Sequence, residues 1–193
     1  KKLSLVPSSR AGLCSLSRKK LTEDVRNLDA VFLVARWENS MFSTYDNSVK
    51  IQVGPTPNYD QKLLAEIKYL KSQGIQKVIL VNQIPKYKQN INKLQLLPIL
   101  SSTQYETDHL FMKANKEIRD IASRSDVFIV DFSSIFCNEG LCSPFDENGK
   151  SLYYDDDHLN IFGSKWLYDQ YEKSKSFQDL IEFLNSDNSL AYN

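Results

Sequence analysis

The sequence has no excess of either charge: 24 acidic side chains balance 24 basic ones over 193 residues. No overall field therefore points to nucleic acid or an anionic membrane surface as a partner. It also lacks any uninterrupted apolar run near the ~20 residues needed to cross a bilayer. At its start, Lys1-Lys2-Leu3-Ser4-Leu5-Val6, there is no initiator methionine, signal-like apolar segment or cleavage site. Such a start is expected of a fragment whose anchor or export signal lies elsewhere. Internal repeats and low-complexity segments are missing too. The length fits one domain spanning 1–193, with a frayed polar tail over 185–193.

Cysteine is scarce, at three residues. Cys137 and Cys142 bracket Asn138-Glu139-Gly140-Leu141, where Gly140 permits a tight reversal, so a small disulfide-closed loop and a metal site compete for the pair. No second cysteine pair and no histidine at ligand spacing accompanies them, which argues against zinc; no metal and no cofactor is expected. Closing so short a loop contributes only ~2 kcal/mol through chain entropy, so its role would be local stiffening of the segment that follows. Cys14 is left as a small apolar residue.

What is present is an alternation of apolar runs and amphipathic stretches. Leu3 to Val6 reads as a short strand, the turn-rich Pro7-Ser8-Ser9-Arg10-Ala11-Gly12 as a loop, and Ser17 to Asn27 as a helix. The nearly continuous apolar run Asp29 to Ala35 is the pattern of a strand buried on both faces. Residues from Asn39 to Pro57 are polar and hold Gly54-Pro55-Thr56-Pro57, which argues against regular structure.

A helix follows from Asn58 to Ser72, with Leu63, Leu64, Ile67 and Leu70 on one face and Gly74 as its stop. Lys77 to Val81 is the next strand, and a long loop runs on from Asn82 through Pro98. Asp108 to Arg124 is helix, Val127 to Asp131 strand, Leu159 to Tyr171 helix and Phe177 to Leu184 a short helix. Strands that alternate with helices in this way make a parallel sheet covered on both faces, a three-layer α/β/α sandwich whose site forms at the carboxyl ends of the strands.

The chemistry concentrates in Tyr153-Tyr154-Asp155-Asp156-Asp157-His158-Leu159-Asn160-Ile161-Phe162-Gly163. A turn that holds Asp155 and His158 three positions apart can place a carboxylate on one imidazole nitrogen, which prepares a base for a serine nucleophile. Three acids before a helix are equally an ordinary N-terminal signal, since carboxylates cap orphan N–H groups and favour the positive end of the dipole.

This stretch resembles the last motif of the SGNH (GDSL-like) hydrolase superfamily, where Asp-x-x-His carries the base and its orienting acid. The wider run from Cys137 to Asn160, with its cysteine pair, Gly149, Tyr153-Tyr154, Asp155, His158 and Leu159-Asn160, looks like the SGNH domain fused to membrane acyltransferase-3 proteins, which O-acetylate bacterial surface polysaccharides. The resemblance implies an SGNH hydrolase-like fold with Asp155 and His158 as catalytic residues. It also implies a nucleophilic serine in a Gly-Asp-Ser motif. That motif occurs nowhere in the sequence and is expected one strand and one helix upstream of Leu3. Ser8 and Ser9 are poor substitutes, because Pro7 interrupts the strand exit and no helix opens after them.

By the same resemblance, the loop from Ser8 to Cys14 lies where a backbone N–H enters the oxyanion hole. The family's usual Gly-x-Asn-Asp is replaced here by Ala35-Arg36-Trp37-Glu38, a sequence usual in the acyltransferase-linked branch. A guanidinium or an indole N–H could donate to an oxyanion or a sugar hydroxyl. Alternatively, Trp37 packs at the core edge and Arg36 pairs with an acid. The amides of Asn82 and Gln83 face the same choice between a sugar and the loop's own hydrogen bonds, and His109 is expected at a helix start as a surface or capping residue.

The implied function is O-acetyl transfer to a bacterial polysaccharide at the periplasmic side of the inner membrane, with the acyl donor delivered by the membrane domain of a parent protein. A stand-alone carbohydrate acetylesterase and a non-catalytic glycan-binding module without a nucleophile are the alternatives.

Overall fold

The computed structural model describes residues 28–46, 49–52, 58–94, 105–138 and 141–186. The expected strand Leu3 to Val6, the helix Ser17 to Asn27, Ser8, Ser9, Cys14, Gly140 and most of the C-terminal tail lie outside the described residues.

Three parallel strands form the central sheet: β1 (Ala30–Val34), β4 (Lys77–Val81) and β5 (Phe128–Val130), in the order β1-β4-β5. The register pairs Ala30 with Lys77 and Val34 with Val81 on one side, and Ile79 with Phe128 on the other. All five residues of central β4 are buried, as its unbroken apolar run requires. Lys77 shares this burial because its ammonium donates to the carbonyls of Leu184 and Ser186, 2.7 Å away in the second case. It thereby satisfies acceptors at a helix end.

One face of the sheet carries α2 (Tyr59–Ser72) and α4 (His109–Ser125). Leu63, Ile67 and Leu70 from the first and Ala114, Ile118 and Ile121 from the second pack on Val78 and Leu80, with Trp37 and Met41 completing the cluster. Asp108 starts α4 by accepting from the N–H of Leu110 at 2.8 Å, and His109 is an exposed first-turn residue. The opposite face carries α6 (Ile161–Glu172) and α7 (Lys175–Asn185), which place Tyr171 and Leu180 against Ile79, Val81 and Val130.

The segment between Trp37 and Gln52 is more regular than the expected irregular loop. It holds α1 (Trp37–Phe42) and an antiparallel hairpin of β2 (Ser43–Asp46) and β3 (Val49–Gln52). The sequence carries the reason, since Thr44-Tyr45 and Val49 to Ile51 are strand formers on either side of the turn formers Asp46-Asn47-Ser48. The breakers lie beyond, at Gly54 to Pro57.

Strand β5 stops short of Asp131, whose carboxylate pairs with Arg119 at 2.9 Å and accepts from the N–H of Ser133 at 3.1 Å. That contact opens the short α5 (Ser133–Phe136). The long loop after β4 contains a further turn of helix, α3 (Ile91–Leu94).

Candidate active site

The Asp155–His158 turn is built on a buried platform. Cys137 and Cys142 pair across β6 (Cys137–Asn138) and β7 (Leu141–Cys142) and are joined by a disulfide. Cys142 packs with Tyr87, Ile91, Phe136, Leu152 and Tyr153 in one apolar cluster. Tyr153 sits edge-on to Tyr87 with ring centroids 5.1 Å apart and donates its hydroxyl to the carbonyl of Pro85 at 2.9 Å. Burial pushes both phenols up, so they stay neutral and serve as struts.

From this platform the chain turns back on itself. The N–H of Tyr154 donates to the carbonyl of His158 at 2.7 Å, and Tyr153 bridges to Leu159. The N–H of Tyr87 donates to the carbonyl of Asp156 at 2.9 Å, and that of Ile91 to the carbonyl of Asp155 at 3.2 Å, which ties the turn to the loop leaving β4. Asn160 ends it: its Oδ1 accepts from the N–H of Gly163 at 2.7 Å to start α6, while its Nδ2 donates to the carbonyl of Ser151 at 2.9 Å.

Within the turn, Asp155 Oδ1 accepts from the backbone N–H groups of Asp157 (3.0 Å) and His158 (2.7 Å). Its Oδ2 lies 2.9 Å from His158 Nδ1. A second carboxylate converges on the same nitrogen, with Asp157 Oδ1 2.8 Å away. With Asp155 hydrogen-bonded at this nitrogen, Nδ1 carries the ring hydrogen, which leaves the Nε2 lone pair as the base. The imidazole is largely exposed (65%), whereas Asp157 is buried to 13% exposure. Asp155, Asp157 and His158 bring atoms of metal-ligand type within 4.8 Å of one another, but each carboxylate already has an N–H or cationic partner.

Arg36, two residues beyond β1, donates its Nη2 to Asp157 Oδ2, and its Nε lies 3.6 Å from Glu38 Oε1. The His158 turn is thus held at the carboxyl end of β1. Trp37 requires a correction. Its indole is fully buried in the core, and its N–H donates to the carbonyl of Val81 at 2.7 Å. An indole has a single donor, so in this geometry Trp37 cannot serve an oxyanion or a sugar. Gln83 is likewise turned inward: Asn115 bonds its backbone, and its Oε1 accepts from the N–H of Glu38 at 3.4 Å. Asn82 is buried to 1% exposure, and His109 remains on the surface.

Asp157 and Glu38 are the members that sequence reasoning passed over. The Asp155-Asp156-Asp157 run signalled that more than one acid flanks His158, but spacing alone singles out the third residue back. Beside the turn lies an open, mostly apolar groove of about 480 Å³ lined by Tyr154, Leu159, Asn160, Ile161 and Phe162.

A parallel sheet between helical layers, with an imidazole and its acid at the strand tips, defines an α/β domain of the SGNH hydrolase-like kind. Residues 4–173 match the SGNH domain that is fused to AT3 domains, and the chain belongs to that family.

Among solved structures, the fold is similar to the periplasmic domain of the lipopolysaccharide acetyltransferase of Salmonella ser. Paratyphi A. The TM-score there is 0.58 at 16% identity, covering 84% of this chain and 61% of that one. It is also similar to a peptidoglycan O-acetylesterase, with TM-score 0.56, 13% identity, and 86% and 42% of the two chains covered. A third is the acetyl xylan esterase AlAXEase, with TM-score 0.50, 18% identity, and 84% and 73% covered. At these identities the likeness is one of fold, and the chain spans under two thirds of the first two structures. No curated protein sequence matches.

Proposed function

We propose that the domain transfers an O-acyl group, acetyl in the first instance, to a hydroxyl of a bacterial cell-surface polysaccharide such as a lipopolysaccharide O-antigen. The observation that carries this reading is the carboxylate-held Nδ1 of His158 in a domain of the family fused to AT3 domains. A membrane acyltransferase domain would deliver the acyl donor, and the reaction would take place on the periplasmic side.

The nucleophilic serine would come from upstream of Lys1, on a strand added beside β1. The outer edge of β1 has no strand partner among the described residues. In the first half-reaction His158 Nε2 takes the serine hydroxyl proton as Oγ attacks the acyl carbonyl carbon, then returns that proton to the departing donor. In the second, Nε2 takes the proton of a sugar hydroxyl as its oxygen attacks the acyl-serine, and returns it to the released Oγ. Asp155 holds the ring and stabilises the imidazolium in both. The same steps with water as acceptor would make an esterase, a reading favoured by the solvent exposure of the imidazole.

The test is acetyl transfer by the full-length protein, in which His158→Ala is expected to lower the rate about 10³-fold. A variant as active as the parent removes the base assignment. Product analysis separates the two acceptors: acetylated glycan supports transfer, and free acetate alone supports hydrolysis.

A further inference from the structure

His158 Nδ1 is addressed by two carboxylates, and the two are anchored independently. Asp155 commits Oδ1 to two N–H groups of its own turn and presents Oδ2 to the ring. Asp157 commits Oδ2 to Arg36 and presents Oδ1 to the ring. Two anions within 3 Å of one ring nitrogen repel each other unless a cation offsets one of them, and Arg36 is in contact with the nearer.

Arg36 is itself set by Glu38, a carboxylate with 3% side-chain exposure whose oxygens have no hydrogen-bond partner and whose Oε1 lies 3.6 Å from the guanidinium. The result is an unbroken series, Glu38, Arg36, Asp157, His158, Asp155, that runs from the first turn of α1 into the loop before α6. Asp155 alone fixes the ring only relative to its own turn. The series fixes it relative to β1.

We propose that Asp157, tethered by Arg36, is a second positioning carboxylate for His158, and that Arg36 acts through Asp157 rather than on the substrate. The inference rests on the acyl-transfer reading for its purpose but not for its geometry. Lys at position 36 would keep the charge but lose the planar fork that can face Asp157 and Glu38 together.

Two measurements test it. The first uses imidazole ¹⁵N spectra of the 193-residue chain, which has only two histidines, so His109→Gln assigns the signals. The Nδ1–H of His158 is expected to be protected in the parent, lost to solvent exchange in both Asp157→Asn and Arg36→Gln, and partly restored in Arg36→Lys. An unchanged Nδ1–H signal in Asp157→Asn overturns the proposal.

The second is kinetics in the full-length protein. Each single variant is expected to lower kcat about 10- to 100-fold with KM unchanged, and the double variant to be no slower than the slower single one. Losses that multiply, or a raised KM in Arg36→Gln beside a harmless Asp157→Asn, would put Arg36 on the substrate and overturn it. If the spectra change as expected while the parent transfers no acyl group, the clamp stands and the acyl-transfer reading falls.

Discussion

Asp155 has two duties, holding the turn through Oδ1 and the imidazole through Oδ2, and a substitution can separate them. Asp155→Asn keeps an acceptor for the backbone N–H groups but can turn a donor toward Nδ1, which favours the wrong tautomer. It is expected to lower kcat about 10²- to 10⁴-fold with little change in melting; a lowered melting temperature at full rate would leave Asp155 a capping residue only. Trp37 predicts the opposite pattern. Trp37→Phe removes the N–H that satisfies the buried carbonyl of Val81, so stability should fall by about 1 kcal/mol in denaturant titration while kcat holds. A lost rate at unchanged stability would return the indole to the site. Both residues stood out in the sequence, one because it stands three positions before a histidine and the other because it follows an apolar strand. Only the structure distinguishes them, because a strand exit directs successive side chains to opposite sides, and spacing does not say which side is core.

The elements beneath the site make demands of their own. Helix α6 crosses the backbone of Leu152 so closely that a Cβ on Gly163 would lie 1.9 Å from the Leu152 carbonyl oxygen. Leu152 is fully buried in the cluster under the His158 turn, so the backbone cannot yield without moving that turn. Gly163→Ala is therefore expected to destabilise by ~1–3 kcal/mol in thermal or denaturant melts and to slow turnover with it; an unchanged melt would show that α6 can slide. The central elements were legible where one burial requirement acts alone, in the apolar run of β4 and the periodic Leu63, Ile67 and Leu70 of α2; β1 forms as a strand, but it is not buried on both faces as its apolar run suggested, since Phe32 and Val34 are exposed. The β2–β3 hairpin was not legible, since its strands are short and the nearby prolines and glycine dominated the composition of the whole stretch. Asp157 was hidden for a different reason: its partner Arg36 is 121 positions away, and no local spacing reports so distant a contact.

Across the whole molecule, the two helical layers cover the sheet unevenly. On the α6–α7 face, Ile79, Val81 and Val130 are sealed by Tyr171 and Leu180. On β1, two positions apart and so on one face, Phe32 and Val34 are 40% and 68% exposed. Among the described residues the layer is thus incomplete over β1, the same strand that has no outer partner among them and that carries Arg36 at its carboxyl end. A strand paired with β1 and a helix crossing it would bury both side chains, complete the sandwich and bring the turn between strand and helix toward His158, the position a nucleophilic serine needs. If the upstream segment supplies those elements, a chain that includes it should protect the outward-pointing amides of β1 from hydrogen exchange and bind less hydrophobic dye than the 193-residue chain. Phe32→Ser and Val34→Ser should then destabilise the longer chain far more than the shorter one, because only the longer one would bury those positions. Equal exchange and equal dye binding in both would mean that this edge of β1 is not where the serine enters.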